Sequence, residues 1–210
     1  DHTPVPDLVL ARSRTADYPV VYAKFGYDEC KKAGFETTYI PHGVNTKIYT
    51  TGDKQAARRD LSVPADAFMC SMVAANKENP PRKGFQEALE AFKLFHDKHP
   101  EAMLFIHTQQ LSPTGFPIIP YAQYLGVGDR LVMMSPYQAV WNSDSFVINK
   151  EINAFDVLLH PSHTEGFGLT VIEAQSAGIP AIVNNCHSMP ELVIDGKTGF
   201  ICETDKPHWT

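Results

Sequence analysis

The chain has 210 residues, of which 43% are hydrophobic and 20% charged, and it carries a net charge of −6. That balance suits a globular chain large enough for one α/β domain, or one domain and a piece of another, and it offers no general electrostatic case for a nucleic-acid partner. Cys30, Cys70, Cys186 and Cys202 stand far apart without zinc spacing, no signal peptide is visible and no apolar run nears the roughly 20 residues of a spanning helix, so a cytoplasmic protein with reduced thiols is expected.

Short apolar runs alternate with helical patterns along the chain. In order, the runs are DLVLA (7–11), TTYI (37–40), FMCSMVA (68–74), MLFIHT (103–108), RLVMMS (130–135), DVLLH (156–160), AIVN (181–184) and GFIC (199–202). Several are apolar without alternation, as in strands buried on both faces of a parallel sheet. Helices are expected at 26–33, from Phe85 to before Pro100, at 120–125 and 148–155, from Gly168 to a stop at Gly178, and at 189–195. Phe85, Ala88, Leu89, Phe92 and Phe95 recur at helical spacing. The stretch 51–67 is polar and precedes the strongest strand, and a soft boundary falls near 41–52. The expected division is residues 1–44 as a linker or the remnant of a preceding domain, and residues 45–210 as the main domain. Both ends look cut, since the chain starts at Asp1 and stops just after a strand.

Strand–helix alternation with short links means a doubly wound, Rossmann-like parallel sheet, whose ligands sit at the carboxyl ends of the strands. The stretch HTEGFGLTVIEA holds Glu165 and Glu173, eight positions apart. Gly166 and Gly168, flanking Phe167, argue against a continuous helix, so Glu165 ends the loop and Glu173 lies in the first turns of the helix. The N-terminus of that helix favours a phosphate, whereas carboxylates beside it would accept hydrogen bonds from neutral hydroxyls. Together they suit a nucleotide sugar better than a simple nucleotide. The competing reading is a capping box, Thr170-x-x-Glu173, with Glu165 as a solvated loop charge.

A second loop, ANKENPPRKGF, brings Lys77, Arg82 and Lys83 before the amphipathic helix, where they would neutralise a diphosphate or simply form a solvated basic loop. His42 and Gly43 would line a cleft or form an ordinary turn. His160 and His163 are three apart, but Pro161 between them and the want of a third ligand argue against a metal. Glu191 is open between a cap, a surface role and ligand contact. No Ser-His-Asp arrangement, nucleophile elbow or Gly-x-Gly-x-x-Gly fingerprint is present.

The stretches YIPHGVNTKIY, RKGFQEALEAF and HPSHTEGFGLTVIEAQSAGIPAIVNN…PELVIDGKTGF resemble the donor-binding half of the retaining glycosyltransferases of family 4, which have the two-domain GT-B architecture. The resemblance runs from about Thr37 to Glu203. It implies that Glu165 contacts donor-sugar hydroxyls and Glu173 the ribose. It implies that Gly43 belongs to the donor site, that Gly166, Phe167, Gly168 and Leu169 offer backbone N–H groups to the diphosphate, and that Lys83 offsets charge on the leaving group. The loop at Ser135 and Tyr137 would read the base. The family's arginine before the lysine is replaced by AANKENPP, with Arg82 the favoured substitute over Lys77. Its glycine pair before Glu191 is replaced by NCHSMPE, which bears on sugar identity. The resemblance further implies no cofactor and no metal, and an acceptor (saccharide, lipid or protein) held mainly by a missing N-terminal domain. By the same token this piece alone is expected to be inactive, and peripheral membrane association of the whole protein is compatible with the reading. The rivals are a nucleotide-sugar epimerase on the same plan and a nucleotide-sugar-binding module without chemistry.

Overall fold

The computed structural model describes residues 3–78, 80–110, 112–134 and 144–203. In chain order these form α1 (Asp7–Ser13), β1 (Val20–Val21), α2 (Lys24–Lys32), β2 (Thr38–Tyr39), α3 (Lys54–Asp60), β3 (Met69–Val73), α4 (Phe85–His96), β4 (Met103–His107), α5 (Ile118–Tyr124), β5 (Leu131–Met133), α6 (Ser145–Ile152), β6 (Val157–His160), α7 (Leu169–Ser176), β7 (Ala181–Asn184) and β8 (Gly199–Cys202). The expected strands after residue 37 all form, each within a residue or two of its apolar run.

β3 through β8 make one parallel sheet in the order β5-β4-β3-β6-β7-β8. β3 is buried at every position, which explains why its sequence does not alternate. Side chains leave β3 and β4 to opposite faces. Met69, Val73 and Phe105 join a core with Phe155, Leu158 and Val171, while Cys70, Met72, Leu104 and Ile106 join another with Phe85, Leu89 and Phe92. Each large apolar side chain fully buried in this way contributes roughly 1.5–3 kcal/mol. The chain winds outward from β3 to β5, then crosses back to β6 on the other side of β3. The strand order therefore reverses between β3 and β6, and a crevice opens there at the carboxyl ends.

The opposite ends of these strands are tied by Asp156. Its carboxylate accepts from the Met69 backbone N–H at 2.7 Å and from the buried Arg58 at 2.6 Å. Arg58 comes from α3, within the polar stretch 51–67 where the sequence reading expected no helix. The helix forms because Asp53 caps it, accepting from the N–H groups of Gln55 and Ala56 at 2.9 and 3.0 Å. The run DLVLA is a helix, not a strand. None of α1 is buried, and Leu8 and Val9 face solvent, so the run lacks the two-sided burial a parallel strand requires. The helix expected at 189–195 shrinks to a 3-10 turn, Met189–Glu191. β1 and β2 pair in a two-stranded parallel sheet of their own.

Candidate functional site

The loops after β3 and β6 meet at the strand-order reversal. Gly84 precedes α4 with φ +71°, and a Cβ there would come within 2.1 Å of the Pro161 carbonyl oxygen. Only glycine lets the two loops approach so closely. The His163 N–H then donates to the Arg82 carbonyl at 2.8 Å, and the Arg82 guanidinium donates to the Thr164 carbonyl at 3.2 Å. The Lys83 ammonium pairs with the Glu165 carboxylate, and both side chains are largely buried. Cations and acid thus stand on one side of the molecule, as the sequence reading required. Lys77 is exposed, which leaves Arg82 and Lys83 as the cations of this cleft.

Beyond Glu165 the chain makes the glycine turn. Gly168 has φ +101°, and a Cβ would meet Met189 Cε at 2.5 Å. Among the described residues, the backbone N–H groups of Gly166, Phe167, Gly168 and Leu169 have no protein acceptor. The Thr170–Glu173 capping box does not form; α7 opens on Gly168 with no side-chain cap. The Thr170 hydroxyl instead lies 3.2 Å from His160 Nδ1. His160, the last residue of β6 and 3% exposed, has its Nε2 3.2 Å from Glu165 Oε2.

Burial pushes the Glu165 carboxyl up, but the His160 hydrogen bond and the Lys83 charge outweigh it and hold the group at about 2. Burial drives His160 the other way, below the usual imidazole range, so its neutral form is favoured. An ionised carboxylate only accepts, so Nε2 carries the His160 proton and Nδ1 accepts from Thr170. The replaced glycine pair also finds an explanation. The Ser188 hydroxyl, fully buried, donates to the carbonyls of Glu165 (2.9 Å) and Phe167 (3.2 Å), bracing the turn from behind. Cys186 donates to the Ser162 carbonyl at 3.2 Å, and burial, then Glu165, pushes its thiol up to about 11.

Arg82, Lys83, His160, Glu165 and the glycine turn line an open cleft of about 470 Å³ with Tyr22 and His42. The two rings pack on each other and around Phe167, at centroid distances of 4.6, 5.0 and 6.4 Å. His42 is therefore a wall of the cleft. Gly43 is not: it is exposed, with nothing within 4 Å of where its side chain would begin. Glu173 lies one turn inside α7 beside the Tyr49 hydroxyl and does not line this cleft; burial raises its carboxyl above the usual range, and Tyr49 opposes that. Glu191 caps α2 at long range, accepting from the N–H groups of Lys24 (2.7 Å) and Phe25 (2.6 Å). Ser135 and Tyr137 lie outside the described residues. A cavity of similar size, about 460 Å³, lies between α1, β1 and α2, but Glu29 is the one charged residue among its described lining, and it is already engaged by Lys32 and Thr3. Among the described residues no three His, Cys, Asp or Glu side chains gather as a metal site, and no helix is long and apolar enough to cross a membrane.

Tyr22 and His160 as a partner of Glu165 escaped the sequence reading, and Ser188 was read only as bearing on sugar identity, not as a brace of the turn. Tyr22 reaches the cleft only through tertiary packing. The HPS stretch did flag His160, though for a metal.

A doubly wound parallel sheet with cations and a glycine turn at its strand-order reversal defines an α/β protein with an anion-ready cleft, of the kind found as one half of GT-B glycosyltransferases. The chain belongs to the glycosyl transferases group 1 family, whose profile matches residues 55–208. It is 30% identical over 173 residues to D-inositol 3-phosphate glycosyltransferase of Segniliparus rotundus, covering 80% of this chain and 36% of that protein. The chain thus spans little more than a third of that relative's length. It shares its fold with sucrose-phosphate synthase of Thermosynechococcus elongatus (TM-score 0.77, 24% identity, 95% of this chain and 48% of the other). It shares it also with Anabaena Alr3699/HepE in complex with UDP-glucose (TM-score 0.73, 20% identity, 95% and 53%).

Proposed function

We propose that the chain is the donor-binding half of a retaining family 4 glycosyltransferase, which moves a sugar from a nucleoside diphosphate-sugar to an acceptor hydroxyl. The observation that carries this reading is the meeting of the Arg82–Lys83 loop with the Glu165 turn, beside four backbone N–H groups that lack an acceptor among the described residues. A diphosphate resting on those N–H groups would draw the Lys83 ammonium and the Arg82 guanidinium to it. As the bond to the sugar breaks, charge grows on the departing diphosphate, and these groups stabilise it where it develops. Glu165, ionised throughout the neutral range, accepts from sugar hydroxyls. Glu173 takes the ribose, on the Tyr49 side of α7.

In this scheme the two cations stand where other enzymes place a metal ion, so none is needed. The acceptor is held by a further domain that precedes residues 1–44, the whole protein works in the cytoplasm, and its contact with a membrane, where the acceptor is a lipid, is peripheral. The nucleotide-bound relatives support the donor class, since the Anabaena protein of the same fold holds UDP-glucose.

The test is a thermal-shift panel of UDP, GDP, ADP and their sugars on this chain. A ligand that binds the folded state raises the melting temperature by mass action. One nucleotide and its sugar are expected to raise it. A folded chain that responds to none of them contradicts the assignment.

A further inference from the structure

Glu165 has two protein partners among the described residues, Lys83 and His160, and both meet the same oxygen, Oε2. Oε1 has no hydrogen-bond partner among the described residues, and Glu165 lines the cleft. The two partners are not equivalent. Lys83 is a flexible ammonium on the loop that also offers itself to a diphosphate, and two phosphates attract it more strongly than one carboxylate. His160 has no such alternative. It ends β6, is 3% exposed, and has its second nitrogen engaged by the Thr170 hydroxyl at 3.2 Å. Its ring is held from both sides, by Glu165 on the loop after β6 and by Thr170 in the first turn of α7.

On the donor-binding reading above, we propose that His160 is a positioning residue for sugar recognition: it keeps Oε2 of Glu165 anchored when Lys83 is drawn to the diphosphate, so that Oε1 stays aimed at the sugar hydroxyls. Thr170 is the second link of this relay. Its hydroxyl donates to Nδ1, which leaves the proton on Nε2 to donate to Glu165. A neutral imidazole suits the task, because it orients the carboxylate without cancelling the charge that accepts from hydroxyls. The arrangement separates two jobs within one site. The glycine turn, Arg82 and Lys83 hold the diphosphate; the Thr170–His160–Glu165 relay reads the sugar.

The experiment is titration calorimetry on the chain with UDP, GDP and ADP and with UDP-glucose, GDP-mannose and ADP-glucose. The readout is the ratio of the Kd for the sugar nucleotide to the Kd for its own diphosphate. His160→Ala is expected to raise that ratio about tenfold, the loss of one hydrogen bond to a charged group, while the diphosphate Kd stays within about twofold of wild type on the same grounds. His160→Gln, whose amide N–H reaches toward Oε2, is expected to recover most of the ratio. Thr170→Val, which removes the hydroxyl and keeps the shape, is expected to shift it in the same direction by less, and it serves if His160→Ala does not fold. The proposal is overturned by an unchanged ratio, by equal losses for diphosphate and sugar nucleotide, or by a glutamine variant as poor as alanine. A wild-type chain that binds no diphosphate instead removes the donor-site reading itself, so the two failures are distinguishable.

Discussion

Four helices of this sheet begin in two contrasting ways. α3 and α6 open on aspartates, and Asp53 and Asp144 accept from the first backbone N–H groups of their helices. α4 and α7 open on Gly84 and Gly168, both left-handed, with no side-chain cap. The aspartate-capped helices satisfy their own donors. The glycine-opened ones flank the crevice between β3 and β6 and leave donors for something else to fill. A cap stabilises a helix, and its absence at these two positions is a cost that the proposed function explains, since there an anion would bind.

The sharpest way to break the contrast is to give Gly84 a side chain. Left-handed strain of about 1–2 kcal/mol and a clash with Pro161 backbone that cannot move aside, typically about 1–3 kcal/mol, sum to roughly 2–5 kcal/mol of lost stability for Gly84→Ala, read by urea denaturation. Next in size, Lys83→Met removes a charge-assisted contact worth about 1.5–3 kcal/mol, so the Kd for the diphosphate should rise about 10- to 100-fold in calorimetry while the fold, followed by circular dichroism, persists.

The pH profile sharpens the same comparison. The Glu165 carboxyl falls from its ordinary 4.5 to about 2 in the fold. A depressed carboxylate stabilises the folded state fully above pH 4.5, and that stabilisation drains away as pH falls toward 2. Burial of His160 adds a loss in the same direction, beginning below its ordinary 6.5. Unfolding free energy should therefore fall with acid below neutrality, and Glu165→Gln should flatten the stretch between 4.5 and 2. The smallest effect is expected at the other kind of helix start. Asp53→Ala should lower stability slightly and leave every ligand Kd unchanged.

How much of this was readable in advance follows from which forces are local. The six strands of the main sheet are apolar runs bounded by turns, and their burial on both faces is written in their composition. The cation loop and the glutamate turn were readable because each directly follows a strand. DLVLA misled because a five-residue apolar run suits a helix as well as a strand, and neighbours outside the run decide. α3 was missed because its pattern is polar; Asp53 before a run of helix formers was the available signal, and the buried Arg58 that makes the helix necessary pairs with Asp156, 98 positions away. Glu191 could not be placed from sequence for the same reason. Its partners, Lys24 and Phe25, lie 167 and 166 positions earlier. The capping box was the plausible local reading of Thr170, and it lost to a hydrogen bond with His160 that only the folded sheet provides.

The most direct measurement is a titration of the 15N-labelled chain with UDP, GDP and ADP, following backbone amide resonances. The account predicts that the nucleotide that binds shifts the amides of Gly166, Phe167, Gly168 and Leu169 and those at the start of α4, while Gln55, Ala56 and Phe146 at the aspartate-capped starts stay in place. Saturable binding that moves the capped helix starts, or leaves the glycine turn unmoved, would contradict it.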